Sequence, residues 1–137
     1  MELKEKVTLI IITIIIDVST LYISVNDNIN GFDKYYISCM LLIHIIFVIA
    51  LLLDINKIID VCHILLFVSI FFSIFLTNKK LLFLIFSISV TQSMIKVIFG
   101  ECIMCTSKDQ SFGTLPDKHH QKFIYQMMGL LLYKILM

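Results

Sequence analysis

The chain contains no arginine; all eleven basic residues are lysine. Arginine is the usual bidentate reader of phosphate and guanine, and no basic stripe stands in for it. A net charge of +1 adds nothing, so the composition argues against a nucleic-acid partner. Glycine is sparse too. The four glycines are scattered and none precedes Lys-Ser/Thr, which excludes a phosphate-cradling loop. Proline occurs once, as Pro116. No Ser/His/Asp set with a recognisable nucleophile elbow is present, and no N-x-S/T acceptor for glycosylation. No internal repeat or low-complexity stretch stands out, and small-xxx-small pairs are scarce. Charge is the largest deficit, at 15% of residues. There is too little of it to cover an apolar core in water, which leaves lipid as the expected solvent.

What fills the chain is apolar sequence. Of its 137 residues, 59% are hydrophobic, and the mean hydropathy is +0.98. Four runs carry most of this, over residues 7–25, 36–53, 58–77 and 81–99. Each is close to the roughly 20 residues that a helix rising about 1.5 Å per residue needs to cross a hydrocarbon core of about 30 Å. The expected fold is an all-α membrane protein: an antiparallel four-helix transmembrane bundle over 1–100, a polar cytosolic segment over 101–120, and an apolar C-terminal helix over 121–137. The first run is long and no A-x-A-like site follows it, so it reads as an uncleaved span rather than a signal peptide. The short links 54–57 and 78–80 predict helical hairpins. The longer link 26–34 holds turn formers, among them Asn26, Asp27, Gly31 and Asp33.

Lysine placement sets the expected orientation. With a cytosolic N-terminus, Lys4, Lys6, Lys57, Lys108, Lys118 and Lys122 face inside, and only Lys34, Lys79 and Lys80 face outside. Tyr22, Phe32, Tyr35 and Tyr36 then form part of an outer aromatic belt. Gly100 is a natural stop for the fourth run. The tail has two dispositions: a short fifth span, or a helix in the interface with Lys122 and Lys134 snorkelling to headgroups. Its shortness and the position of Lys134 favour the interfacial or partly inserted one.

Polar residues inside the runs are the candidate functional groups, because an ionisable side chain in a membrane is expensive. Asp17 costs about 2.5–3.5 kcal/mol at a helix centre, and its many aliphatic neighbours offset this at about 0.3–0.6 kcal/mol each. Thr13, Asp17, Thr20 and Ser24 share a helical stripe, as do Ser89, Gln92, Ser93 and Lys96. Two layers follow from the antiparallel register. Asp17 and His44 form a midplane pair; Asp60, His63, Gln92, Lys96 and Glu101 form a cluster towards the cytosol. They serve either as an ion or proton path or as interhelical hydrogen-bond glue.

Cys102-Ile103-Met104-Cys105 is the one short motif with named chemistry. In helix count and in this motif the chain is similar to membrane thiol carriers of the disulfide-bond-forming and vitamin K epoxide reductase types. That likeness implies a thiol oxidoreductase working with a quinone. Those families place the pair at a helix start and use a second cysteine pair in a loop outside the cytosol. Here Cys102 follows an expected helix end, and Glu101 beside it also disfavours a thiolate. Cys39 and Cys62 sit within apolar runs. Cys102 and Cys105 with His119 or His120 would supply part of a zinc site, though adjacent histidines rarely ligate one ion. Reduced thiols beside a solvated His-His loop need neither cofactor.

The reading that requires least is a non-enzymatic structural or interaction component of a membrane. A small proton or cation channel or transporter subunit is the first alternative, and the thiol oxidoreductase the second. Membrane lipids are the expected surroundings. The chain is small for a transporter and lacks paired repeats, so a homo-oligomer or a larger membrane protein partner is expected if it conducts.

Overall fold

The computed structural model describes the backbone of residues 3–29, 31–99 and 117–137; the side chains of 95, 96, 98, 99 and 117–121 lie outside that description. The described residues are almost wholly helical and contain no strand. There are five helices among them: α1 (Leu3–Asn26), α2 (Phe32–Leu52), α3 (Asn56–Phe72) prolonged by a 3-10 turn (Ser73–Phe75), α4 (Lys79–Phe99) and α5 (Asp117–Leu136). Three segments, Leu3–Asn26, Phe32–Leu52 and Asn56–Phe75, are long and apolar enough to cross a membrane.

Helical period decides which apolar residues turn inward. On α2 the buried face is Asp33, Tyr36, Ile37, Met40, His44, Phe47, Ala50 and Leu51, spaced by three and four. Leu42, Ile45, Ile46 and Ile49 of the same helix are exposed and equally apolar. A helix that is apolar all round, with half its surface outside the core, is suited to lipid. Tyr36 departs from the outer-belt expectation. It lies on the inward face, and its hydroxyl donates to the Ser69 carbonyl at 3.0 Å. Tyr22, Phe32 and Tyr35 remain exposed.

The turns have identifiable causes. Gly31, with φ of 60°, opens α2 in a conformation that a side chain would resist. At the other end of α2, the Ile55 amide donates back to the Ala50 carbonyl, and Asp54 between them has φ of 57°. This is a Schellman-type stop, with aspartate in the left-handed position that glycine usually takes. Asn78 caps α4: its Oδ1 accepts from the amides of Lys80 at 2.9 Å and Leu81 at 3.1 Å.

The helices close into a ring in the order α1, α2, α3, α5, α4. α1 packs on α2 and α4, α2 on α3, and α4 on α5. The α3–α5 seam is made by rings: Phe123 lies against Phe71 at a centroid distance of 4.0 Å and against Phe67 at 5.6 Å. The tail, expected either as a short fifth span or as an interfacial helix, packs as a fifth helix against its neighbours. It runs beside α4, and Leu131, fully buried, joins Leu76, Leu81 and Leu82 in one core cluster. Lys134 does not reach out of the bundle as snorkelling requires. Its ammonium donates to the Ile74 carbonyl in the 3-10 turn.

Two apolar clusters plug the ring. One holds Leu9, Phe47, Ala50, Leu51, Ile59 and Cys62, at the end where α1 begins and α2 stops. The other holds Tyr36, Ile37, Met40, Leu76, Leu81, Leu82, Ile85 and Leu131, at the opposite end.

Candidate functional site

A cavity of about 380 Å³ lies inside the ring and takes its walls from all five helices. Leu9 and Phe47 of one plug and Met40 and Ile85 of the other contribute to it. The walls are mainly aliphatic, with Ile12, Ile16, Leu66, Ile70, Leu84, Ile88 and Ile124 among them. The polar lining is His44, His63, Gln92 and a set of hydroxyls. Exposed Ile15 of α1 and Thr91 of α4 also line it, so the cavity reaches the bundle surface between those two helices.

Asp17 and His44 are in contact. His44 Nδ1 lies 2.5 Å from Asp17 Oδ1, across the α1–α2 seam. Helix phase brings them together: Asp17 follows Leu9 and Thr13 along the buried stripe of α1, and His44 follows Tyr36 and Met40 on α2. His44 is nearly buried and Asp17 about a quarter exposed. With Nδ1 turned to the carboxylate, Nε2 is the ring nitrogen available to the cavity.

His63 and Gln92 join His44 on the cavity wall, although the sequence placed them in a separate layer. The two layers are one because α2, α3 and α4 present these residues at similar distances from the same end of the ring. Asp60 is half-buried on α3 and does not line the cavity. Asp60 and His63 both have interaction partners. Lys96 lies on α4 with its side chain outside the described residues, as are the side chains of His119 and His120 in the first turn of α5. Glu101, Cys102 and Cys105 lie wholly outside them. Among the described residues, no group of three or more His, Cys, Asp or Glu is placed to hold a metal ion.

The hydroxyls were legible only in part. Thr13 and Ser93 belong to the stripes already noted, whereas Thr8, Ser69, Ser87 and Thr91 join them only because the helices enclose a common space.

A second polar assembly, unforeseen from sequence, closes the end of the ring remote from Lys6. Asp33, 2% exposed in the first turn of α2, accepts from the Thr77 amide at 3.0 Å, the Thr77 hydroxyl at 2.8 Å and the Asn78 amide at 2.8 Å. Asp27 accepts from the Asn78 side-chain amide at 2.8 Å and from Lys80 at 2.6 Å. The Asn78 hydrogen bond first, and then Lys80, hold the Asp27 carboxyl below the ordinary aspartate range. This clasp ties the α1–α2 link to the start of α4. Its available signal was an asparagine just before an apolar run, the mark of a helix cap. At the opposite end, Lys6 pairs with Asp54.

No family model matches the chain, and no curated protein or solved structure matches it.

Proposed function

We propose that this chain is a multi-pass integral membrane protein, with the start of α1 on the cytosolic side, that acts by binding rather than by catalysis. It is a non-enzymatic interaction component that holds a small, mostly apolar ligand between its helices. The observation that carries this reading is the cavity: about 380 Å³, walled by five helices and lined by aliphatic side chains with a few convergent polar groups. That combination is the usual form of a small-molecule site. An opening between α1 and α4 would face lipid if those helices span, which gives an apolar ligand a direct way in. The test is saturable uptake of a lipophilic probe by the protein in lipid nanodiscs, corrected for empty discs. The expected result is one site per chain, weakened when Thr91→Phe fills the opening. Purely linear partitioning, the same with and without protein, would sink the reading.

The Asp17–His44 contact favours a second reading, a proton or cation path along the same cavity. A homo-oligomer or larger membrane partner would then complete the pathway. Proton flux into liposomes separates the two. A path requires flux in the wild type that falls in Asp17→Asn, whereas absent or identical flux leaves binding alone.

A further inference from the structure

Most polar groups of the cavity sit near one level, and the space extends from them mainly in one direction. Contacts between antiparallel neighbours fix the levels. α1 meets α2 at Lys6–Asp54 and at Asp17–His44, the α2–α3 turn closes between Ala50 and Ile55, and α1 meets α4 at Asp27–Lys80. At about 1.5 Å per residue from these contacts, His44, His63 and Gln92 all stand within about 3 Å of the Asp17 level. Thr91 and Ser93 flank Gln92, and Tyr125 lies one turn before Met128, which Ser93 meets. On α2, α3 and α4 the lining ends within a turn of this layer, at Phe47, His63 and Ser93; only α1 carries it further, to Thr8. In the other direction Met40, Leu66, Ile70, Leu84, Ile85 and Ile88 wall an aliphatic arm. From Gln92 to Leu84 the arm runs about 12 Å along α4. Its two hydroxyls, Ser69 and Ser87, donate to carbonyls of their own helices, those of Leu66 and Phe83.

The layer both gives and takes hydrogen bonds. The Gln92 side chain carries two N–H donors and an acceptor oxygen, and the Tyr125 hydroxyl also does both. His44 presents Nε2, while Thr91 and Ser93, whose hydrogens go to the Ser87 and Ser89 carbonyls, present lone pairs. The ionisable groups of the layer are engaged: Asp17 with His44, and His63 with a partner of its own. A fixed charge brought here would lose its water without gaining a counterion. A plain hydrocarbon would dry the polar groups of the layer without replacing their contacts with water, which is also unfavourable.

We infer that the cavity holds a single-chain amphiphile with an uncharged head that both donates and accepts hydrogen bonds, as a carboxamide does. The head sits in the layer of His44 and Gln92, and the chain lies in the aliphatic arm, pointing away from the start of α1. The inference rests on the binding reading above and adds the class of head and the direction of the chain.

The test compares decanamide with N,N-dimethyldecanamide, which keeps the carbonyl and loses both N–H groups, and with decane, decanesulfonate and decyltrimethylammonium. Binding to the protein in nanodiscs is measured by native mass spectrometry, corrected for empty discs. Decanamide is expected to bind about tenfold more tightly than its dimethyl form, the equivalent of one hydrogen bond, and more tightly than the other three. Gln92→Leu and Tyr125→Phe, made separately, are each expected to narrow that ratio. Tyr125 is half-exposed, so its variant tests the layer even where Gln92→Leu fails to fold. Direction is read from a chain-length series of amides. Leu84→Phe should shorten the longest chain that binds tightly, and Ile12→Phe, on the opposite side of the layer, should not. If the dimethyl amide, decane or either charged compound matches decanamide, or if no folded variant narrows the ratio, the head assignment falls. Unless Leu84→Phe alone shortens the chain, the direction falls. Either result leaves the binding reading standing. If no compound binds saturably, the binding reading itself fails, and the inference with it.

Discussion

Removing the Asp33 carboxylate strands the backbone amides of Thr77 and Asn78 together. Each buried donor left unpaired costs about 1–3 kcal/mol. Asp33→Ala is therefore expected to lower stability by roughly 1–3 kcal/mol, with part of the loss recovered through solvent near the exposed Thr77. Asp33→Asn, which keeps one oxygen acceptor, should lose less. Unfolding in detergent followed by helical circular dichroism measures both. Asp17 and His44 should behave as a unit, because removing either leaves the other uncompensated in a low-dielectric setting. Single variants Asp17→Asn and His44→Leu and the double variant are expected to show a coupling of about 0.5–3 kcal/mol. Additive losses would mean that the contact carries no energy of its own. Asp27 gives a pH dependence whose sign follows from its depressed pKa. The carboxylate contributes stability above the unfolded-state value of about 3.9. That contribution is lost as pH falls through the lower, folded value. The unfolding temperature should thus drop in acid below about pH 4, and the drop should shrink in Asp27→Asn.

The end of α2 shows how an element is stopped by something other than its apolar pattern. The apolar run continues to Leu53, and the helix ends there because Asp54 adopts φ of 57° and returns the Ile55 amide to Ala50. Glycine accepts this conformation without penalty, whereas a β-branched residue resists it. Asp54→Gly loses only the exposed pairing with Lys6, worth about 0–1 kcal/mol. It should leave the unfolding midpoint unchanged or raise it, while Asp54→Val should lower it; equal effects would show that the turn is not the controlling feature. The 3-10 turn after α3 makes a related point. It buries Ser73 and offers the Ile74 carbonyl to Lys134. That contact was invisible in the sequence because it joins residues sixty positions apart. Lys134 looked like an interfacial anchor because local pattern cannot show a free carbonyl on another element.

For the whole molecule, the position of α5 is the decisive feature. It packs along α4 and reaches the 3-10 turn at the far end of the ring. If the ring stands across a bilayer, the helices cross five times and the two ends of the described chain lie on opposite sides. Reporter fusions before α1 and after α5 should then be read in opposite compartments. A tail lying in the interface would place both on the same side. Much of this architecture was legible in advance. The apolar runs located α1 to α4, the stripe carrying Asp17 showed that it turns inward, and the antiparallel register set it level with His44 on α2. The shared cavity was not legible. Its layer of His44, His63 and Gln92 depends on how far each helix is offset along its neighbours, and period alone does not set offsets between helices.

Local physics in the sequence determined a great deal about this protein. Apolar length and all-round hydrophobicity specify helices suited to lipid, and the spacing of polar residues specifies which helix faces turn inward. These follow from interactions within one turn of one helix, so the residues themselves encode them. Tertiary structure alone decided that the tail completes a ring, that Asp33 and Asn78 clasp it, and that the ring encloses a space instead of filling it. These outcomes depend on side chains far apart in the chain meeting at particular depths. The phenylalanines of α3 and α5 meet across their seam, and the two apolar clusters close the ends of the ring without filling its middle. The chemistry of the cavity wall follows the same division. The hydroxyls are written in the sequence, but only the assembled ring brings them to the wall of one space.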